Sequence, residues 1–84
     1  MENIKTGYLK FNGKFFIFSD PTKSCGNTGG TACLTLIKIR MEEMQDKGMS
    51  FINNKTGEVY SVIDAIAYLL GGNELIIEVK EEVK

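Results

Sequence analysis

The stretch Tyr8-Leu9-Lys10-Phe11-Asn12-Gly13-Lys14-Phe15-Phe16-Ile17-Phe18 decides the fold class of this 84-residue chain. Aromatic and β-branched residues flank Asn12-Gly13, a pair that tolerates the positive φ angles of a two-residue type I′ hairpin turn. With that turn, Phe11 lies opposite Lys14 and Leu9 opposite Phe16. One face then carries Leu9, Phe11, Phe16 and Phe18, and the other carries Tyr8, Lys10, Phe15 and Ile17. Because both faces are largely apolar, the hairpin is either covered on both sides or carries exposed aromatics.

The segment after the hairpin, from Asp20 to Gly30, is rich in turn and loop formers and is long for a connection in a compact domain. If a helix follows it, backbone N–H groups at the helix start can hold an anion, and glycines allow close approach. The alternative is a flexible connection. The candidate ligand-binding residues are Ser24, Gly26, Asn27, Thr28, Gly29, Gly30 and Thr31.

Residues 31–46 carry two competing patterns. The stretch 37–41 alternates like a strand, with β-branched residues. The later part is rich in helix formers, and we favour a helix that begins near Thr31 and ends at Gly48. Its apolar residues recur at helical spacing, at Leu34, Ile37, Met41 and Met44.

The C-terminal half predicts a second hairpin, from 49–52 and 58–60, followed by a helix. Ser61 and Asp64 form a capping-box-like pair at the helix start, and Gly71-Gly72 ends it. The helix has an apolar face of Val62, Ile63, Ile66, Leu69 and Leu70, and a last strand buries Leu75, Ile77 and Val79. We therefore expect one α+β domain over 1–84, with a mixed or antiparallel sheet, an N-terminal hairpin and one or two helices packed on one face.

Composition removes several function classes. The chain has no histidine, so a Ser-His or Cys-His nucleophile pair is impossible and the commonest metal ligand is absent. We expect no catalytic residues, no metal and no cofactor, and therefore no enzyme activity. The chain contains no apolar run long enough for a membrane span and no signal peptide, which predicts a cytoplasmic protein without a membrane partner.

The two cysteines, Cys25 and Cys33, are too few for a disulfide framework or a zinc site, and we expect reduced thiols. A lone cysteine is usually a small buried hydrophobe, and we expect this of Cys33. The alternative is a reactive thiol at the start of the helix.

Aromatic and basic side chains of the hairpin could stack on bases and bind phosphate. A pI of about 5.4 argues against a dedicated nucleic-acid binder, and core packing is the better explanation for most of the aromatics. The candidate surface residues of this kind are Tyr8, Lys10, Lys14 and Phe15.

Residues 49–79 resemble the HPr phosphocarrier family, which has a strand hairpin, a regulatory serine that opens a short helix, and a closing strand. The similar stretches are Asn54-Lys55-Thr56, Ser61-Val62-Ile63 and Gly72-Asn73-Glu74-Leu75-Ile76-Ile77. The resemblance implies a regulatory role for Ser61. The family's phosphorylated histidine has no counterpart here, so only regulation or binding is implied.

A second resemblance is to small sulfur carriers of the TusA type. It rests on Gly30-Thr31-Ala32-Cys33-Leu34-Thr35-Leu36 and on Gly72-Asn73-Glu74-Leu75. This resemblance implies carriage of a persulfide on Cys33. The prolines and the histidine of that family's motifs are absent from the chain.

Taken together, these patterns favour a small non-catalytic binding or regulatory protein, an inhibitor or adaptor of the kind that phages and mobile elements encode. It would act on a protein partner through surface contacts. A binder of a small anionic ligand or nucleotide, using residues 24–31, is one alternative. A vestigial HPr-like or sulfur-carrier protein is another, and homo-oligomer formation is left open.

Overall fold

The computed structural model describes residues 2–22 and 28–82, with side chains described for 4–22 and 28–80. The described chain forms two layers, a six-stranded antiparallel sheet and two helices, which confirms the predicted α+β class with helices on one face. The sheet order is β3-β2-β1-β6-β4-β5. The elements in chain order are β1 (Glu2–Phe11), β2 (Phe16–Ser19), β3 (Thr28–Thr31), α1 (Leu34–Asp46), β4 (Ser50–Asn53), β5 (Val59–Tyr60), α2 (Val62–Leu70) and β6 (Glu74–Glu82).

The N-terminal hairpin has a different register from the one predicted. Phe11 pairs with Phe16 instead of Lys14, so the connection spans residues 12–15 rather than two residues. The side chain of Asn12 stabilises this longer turn by accepting hydrogen bonds from the backbone N–H groups of Lys14 and Phe15, at 3.0 and 2.7 Å. Because the register moves by an even number of residues, the predicted faces of the two strands are retained.

The prediction of a loop up to Gly30 was wrong for its described end, because residues 28–31 form the edge strand β3, which pairs with β2. The ring of Phe18 explains the glycine at position 29, because a Cβ there would lie 2.6 Å from the ring. Glycine therefore allows an aromatic ring to pack on an edge strand. The other candidate residues of the predicted loop, Ser24, Gly26 and Asn27, lie outside the described residues.

Residues 34–46 are helical, which settles the choice between helix and strand at this position. The N-cap residue is Cys33 rather than Thr31, whose hydroxyl accepts the Cys33 N–H at 3.0 Å. Gly48 follows the end of the helix with a φ of +90°, as a C-terminal glycine should. The side chains that α1 buries are Ile37, Met41 and Met44.

The second hairpin and α2 follow the prediction, but the buried stripe of α2 is rotated from the predicted one. Ile63 and Leu70, which were expected in the apolar face, are 70% and 50% exposed. Val62 and Leu69 are buried, as predicted, and Ile66 is partly buried, whereas Ala65 is a buried residue that the prediction did not include. Leu75, Ile77 and Val79 of β6 are buried, as predicted, and complete the core with Leu9, Phe16 and Phe51.

Ser61 is the N-cap of α2, and its hydroxyl accepts the backbone N–H of Asp64 at 3.3 Å. Replacement of Ser61 by alanine leaves that N–H without its acceptor, and we expect a loss of about 1 kcal/mol in the free energy of unfolding. Ser61→Asp should be nearly neutral, because aspartate also caps helices. Thermal and urea unfolding of the two variants measures both effects, and equal losses for the two would contradict the capping role.

Candidate functional site

The helix side of the domain exposes several large apolar side chains. Leu34 begins α1 and is 51% exposed, and Ile63 lies in the first turn of α2. Exposed apolar side chains that share one concave surface are typical of interaction sites, whereas scattered ones need no explanation. Leu34 and Ile63 do share such a surface.

This surface is a groove between the N-terminal ends of α1 and α2, with a volume of about 360 Å³. Ile66, which is partly buried against the core, is a third apolar side chain on its wall. We call this surface the interhelical groove. Its lining residues are Leu34, Thr35, Lys38, Ile63 and Ile66.

The interhelical groove has a positive electrostatic character. Lys38 is the one charged residue among its lining residues. The first turn of α1 contains no acidic residue, and its N-cap residue, Cys33, makes no side-chain capping hydrogen bond. The N-terminal end of a helix carries a partial positive charge, so this end of α1 adds to the charge of Lys38. An apolar group accompanied by a carboxylate would therefore fit this surface.

Anion binding by residues 24–31 stays a prediction, but the described part of this segment has a different local structure from the one expected. Thr28–Thr31 is a strand, and α1 begins three residues after Thr31, so the helix start does not directly follow the glycines. A cleft of about 260 Å³ lies beside this strand. Both charge signs line it, so it does not favour an anion. Its charged lining residues are Arg40 and Lys47, with Asp20 and Glu43.

The predicted aromatic and basic residues are divided between two places. Tyr8 and Lys10 lie on the side of the sheet that the helices do not cover, with the Lys10 ammonium 5.3 Å from the centre of the Tyr8 ring. Lys14 and Phe15 lie in the exposed hairpin turn. Two of the four side chains thus lie on the sheet and two in the turn beside it, and base stacking by them stays a prediction.

The uncovered side of the sheet, which we call the open sheet face, carries a second apolar feature. Tyr8 pairs with Ile76, Ile76 pairs with Ile52, and Ile52 pairs with Val59. These residues form one row across β1, β6, β4 and β5. The first three are half-buried and Val59 is 67% exposed. The sequence analysis noted two apolar faces in the first hairpin, but it missed this row because its members come from four distant segments.

Two single residues complete the set of predicted sites. Cys33 is an exposed free thiol, so the expectation of a small buried hydrophobe was wrong. Its backbone is held at the helix start, where the side chain is directed outward. Ser61 is exposed at the start of α2, and its regulatory role stays a prediction.

Within residues 2–22 and 28–82, the structure contains no group of three or more metal-ligating side chains of the His, Cys, Asp and Glu types. None of the described helices is long and apolar enough to cross a membrane. Comparisons with protein-family models, with curated proteins and with solved structures give no match.

Proposed function

We propose that this chain is a non-catalytic protein-binding domain of the cytoplasm that contacts its partner through the interhelical groove. The observation that carries the proposal is the presence of two strongly exposed apolar side chains, Leu34 and Ile63, on one concave surface. Complete burial of a fully exposed large aliphatic side chain contributes about 1.5–3 kcal/mol, and these two side chains, already part-buried, would contribute about half to two thirds of that each. They would therefore act as anchors within a larger contact, because association itself costs several kcal/mol.

The partner's contact segment would have an apolar side chain that enters the groove next to a carboxylate. Lys38 and the uncapped N-terminal end of α1 favour a negative charge at that position. The absence of histidine from the chain supports binding over catalysis, because it removes the commonest general acid–base group. An inhibitor or adaptor needs only such a surface.

Replacement of Ile63 by aspartate tests the groove. A carboxylate at this position removes an anchor and repels the acidic residue of the partner, and we expect a loss of affinity of about thirtyfold or more. Ile63 is exposed, so the variant should keep its melting temperature within a few degrees. Lys38→Glu should weaken binding as well, mainly by lowering the association rate.

The matched control is Leu70→Asp, which makes the same kind of change at a half-exposed position of the same helix outside the groove. A photo-crosslinking amino acid at position 63 should capture the partner in the cells that express the chain, and one at position 70 should not. The captured partner then serves for calorimetric titration with each variant. Equal capture at both positions, or equal losses from Ile63→Asp and Leu70→Asp, would contradict the proposal.

A further inference from the structure

We propose that the free edge of β3 binds an extended segment of a partner protein, which adds to the six-stranded sheet as a further antiparallel strand. On the side of the helices, this segment carries an apolar side chain and, two residues later, a carboxylate. The edge is a different surface from the interhelical groove, and the inference does not depend on the function proposed for that groove. Three observations carry it, which are the outward backbone groups of β3, its unprotected edge and the groove beside it.

The hydrogen bonds of the sheet determine which backbone groups of β3 point to its free edge. Antiparallel strands alternate between hydrogen-bonded and non-hydrogen-bonded pairs. The N–H of Asn12 donates to the Phe15 carbonyl at 3.0 Å, which fixes this alternation for β1 and β2, and the constant registers extend it to β3. Gly29 and Thr31 therefore bond to β2. Gly30, between them, directs its N–H and C=O groups away from the sheet.

The second hairpin confirms this assignment. Carried across β6, β4 and β5 by their registers, the same alternation requires Asn53 and Glu58 to form a hydrogen-bonded pair. The N–H of Asn53 does donate to the Glu58 carbonyl, at 2.8 Å. Within the described parts of the chain, no residue bonds to the outward backbone groups of Gly30. This glycine thus offers one donor and one acceptor to an incoming strand.

The edge of β3 lacks the features that keep sheet edges from pairing. Such features include charged side chains, proline, bulges and very short strands. The strand Thr28–Thr31 has no charged residue and no proline, and its pairing with β2 advances without a bulge. The opposite edge strand, β5, is shortened to the two residues Val59 and Tyr60. Of the two described edges, β3 is therefore the one that suits a further strand.

A groove of about 240 Å³ lies between this edge and α1. Leu36 on its wall is 52% exposed, and Arg40 is the one charged residue among its lining residues. The acidic residues Asp20 and Glu43 line the neighbouring cleft instead, together with Lys47. An apolar side chain and a carboxylate on the helix side of an added strand therefore fit this groove. It is lined by Phe18, Gly29, Gly30, Thr31, Leu36 and Arg40.

The positions of Leu36 and Arg40 determine the order of the two side chains. Arg40 also lines the neighbouring cleft beside Thr28 and Gly29, whereas Leu36 does not. Leu36 therefore lies toward the Thr31 end of β3, and Arg40 lies toward the Gly29 end. In an antiparallel strand, the residue opposite Thr31 comes two positions before the residue opposite Gly29. The apolar residue of the segment thus comes first and the acidic residue second.

Two synthetic peptides of the same composition test this order. In acetyl-Thr-Thr-Leu-Thr-Glu-Thr-Thr-amide, leucine and glutamate share one side of a strand, whereas acetyl-Thr-Thr-Leu-Glu-Thr-Thr-Thr-amide places them on opposite sides. In NMR titrations of the full chain, the first peptide should shift the Gly30 amide and slow its hydrogen exchange about tenfold or more at saturation. The second peptide should bind about fivefold more weakly or worse.

Methylation of the Gly30 backbone nitrogen tests recognition through the strand edge. Ligation at Cys33 gives access to this variant, in which a methyl group replaces the outward N–H. The melting temperature should stay within a few degrees, because that N–H has no partner within the described chain. Affinity for the first peptide should fall about tenfold or more. The control is the same methylation at Gly29, which removes a hydrogen bond to β2 and should lower the melting temperature.

Charge reversal tests the carboxylate. Arg40→Glu should weaken the first peptide about fivefold or more, and a lysine in place of the peptide's glutamate should restore affinity to within about twofold. Lys38→Glu, on the other side of α1 in the interhelical groove, is the matched control and should change nothing. Equal affinity for the two peptides, or binding that survives methylation of Gly30, would overturn the proposal. So would shifts confined to the interhelical groove, or none up to about 5 mM peptide.

Discussion

Replacement of Gly7 by alanine is expected to destabilise the domain by about 3 kcal/mol or more, because a Cβ at this position has no space. Gly7 lies in β1 opposite Ile77, on the same side of the sheet as the buried Leu9. A Cβ built there would overlap the carbonyl oxygen of Ser19 and lie 3.1 Å from the Pro21 ring. The chain that leaves β2 therefore passes directly over β1 at this glycine.

Backbone atoms cannot rotate away from a new methyl group as a side chain can, so the clash must be relieved by moving a whole segment. That segment is itself held, because the Asp20 carboxylate accepts hydrogen bonds from the backbone N–H and the hydroxyl of Thr22. Urea unfolding measures the loss.

Gly13→Ala is the control, since nothing lies within 4 Å of a Cβ at that turn position and its φ of +94° alone should cost about 1 kcal/mol. A Gly7→Ala variant as stable as Gly13→Ala would show that the two segments are not in contact.

The first hairpin shows how far the sequence could predict this fold. Period-two alternation determines which residues share a face, and Leu9, Phe11, Phe16 and Phe18 do lie on the core side. The register depends instead on the turn, where the Asn12 side chain stabilises a four-residue connection over the two-residue turn that Asn-Gly usually favours. The two-residue and four-residue turns differ too little in free energy for the amino-acid composition alone to distinguish them.

The edge strand β3 was missed because Gly29 and Gly30 have the composition of a loop. Their role depends on a long-range contact, the ring of Phe18 over Gly29, which is not visible in the local sequence. A strand with two glycines has almost no pattern of apolar side chains. It can be recognised only from the aromatic residue whose ring packs over one of those glycines.

The interhelical groove could not be predicted from the sequence for a related reason. The pattern in α2 predicts an apolar stripe, but its orientation depends on how the helix packs against the sheet and α1. Ile63 and Leu34 belong to their helices' apolar patterns yet lie at the edge of the buried stripes. The residues on which the proposed function depends were thus assigned to the apolar helix faces, because periodicity alone cannot distinguish a core position from an exposed apolar position beside it.

The second large effect is expected for Asn53→Ala, which should lower the free energy of unfolding by about 3 kcal/mol. Asn53 is 6% exposed and is the single buried polar residue of the described side chains. Its Nδ2 donates to the Tyr60 hydroxyl at 2.9 Å. Its Oδ1 accepts the Lys55 N–H at 2.8 Å and the Tyr68 hydroxyl at 3.4 Å. One side chain thus connects β4, the turn after it, β5 and α2.

Loss of this amide removes the partners of two tyrosine hydroxyls and of two turn N–H groups, those of Lys55 and Thr56, and each lost hydrogen bond contributes about 0.5–1.5 kcal/mol. The rings of Tyr60 and Tyr68 make a T-shaped contact with their centres 5.4 Å apart. Both tyrosines lose the Asn53 side chain, to which both of their hydroxyls are hydrogen-bonded. Asn54→Ala is the matched control, because the adjacent asparagine is exposed and should change stability by less than about 0.5 kcal/mol. Urea unfolding of both variants measures the difference. Similar midpoints would mean that the turn, and not the buried amide, determines the position of β5 beside β4.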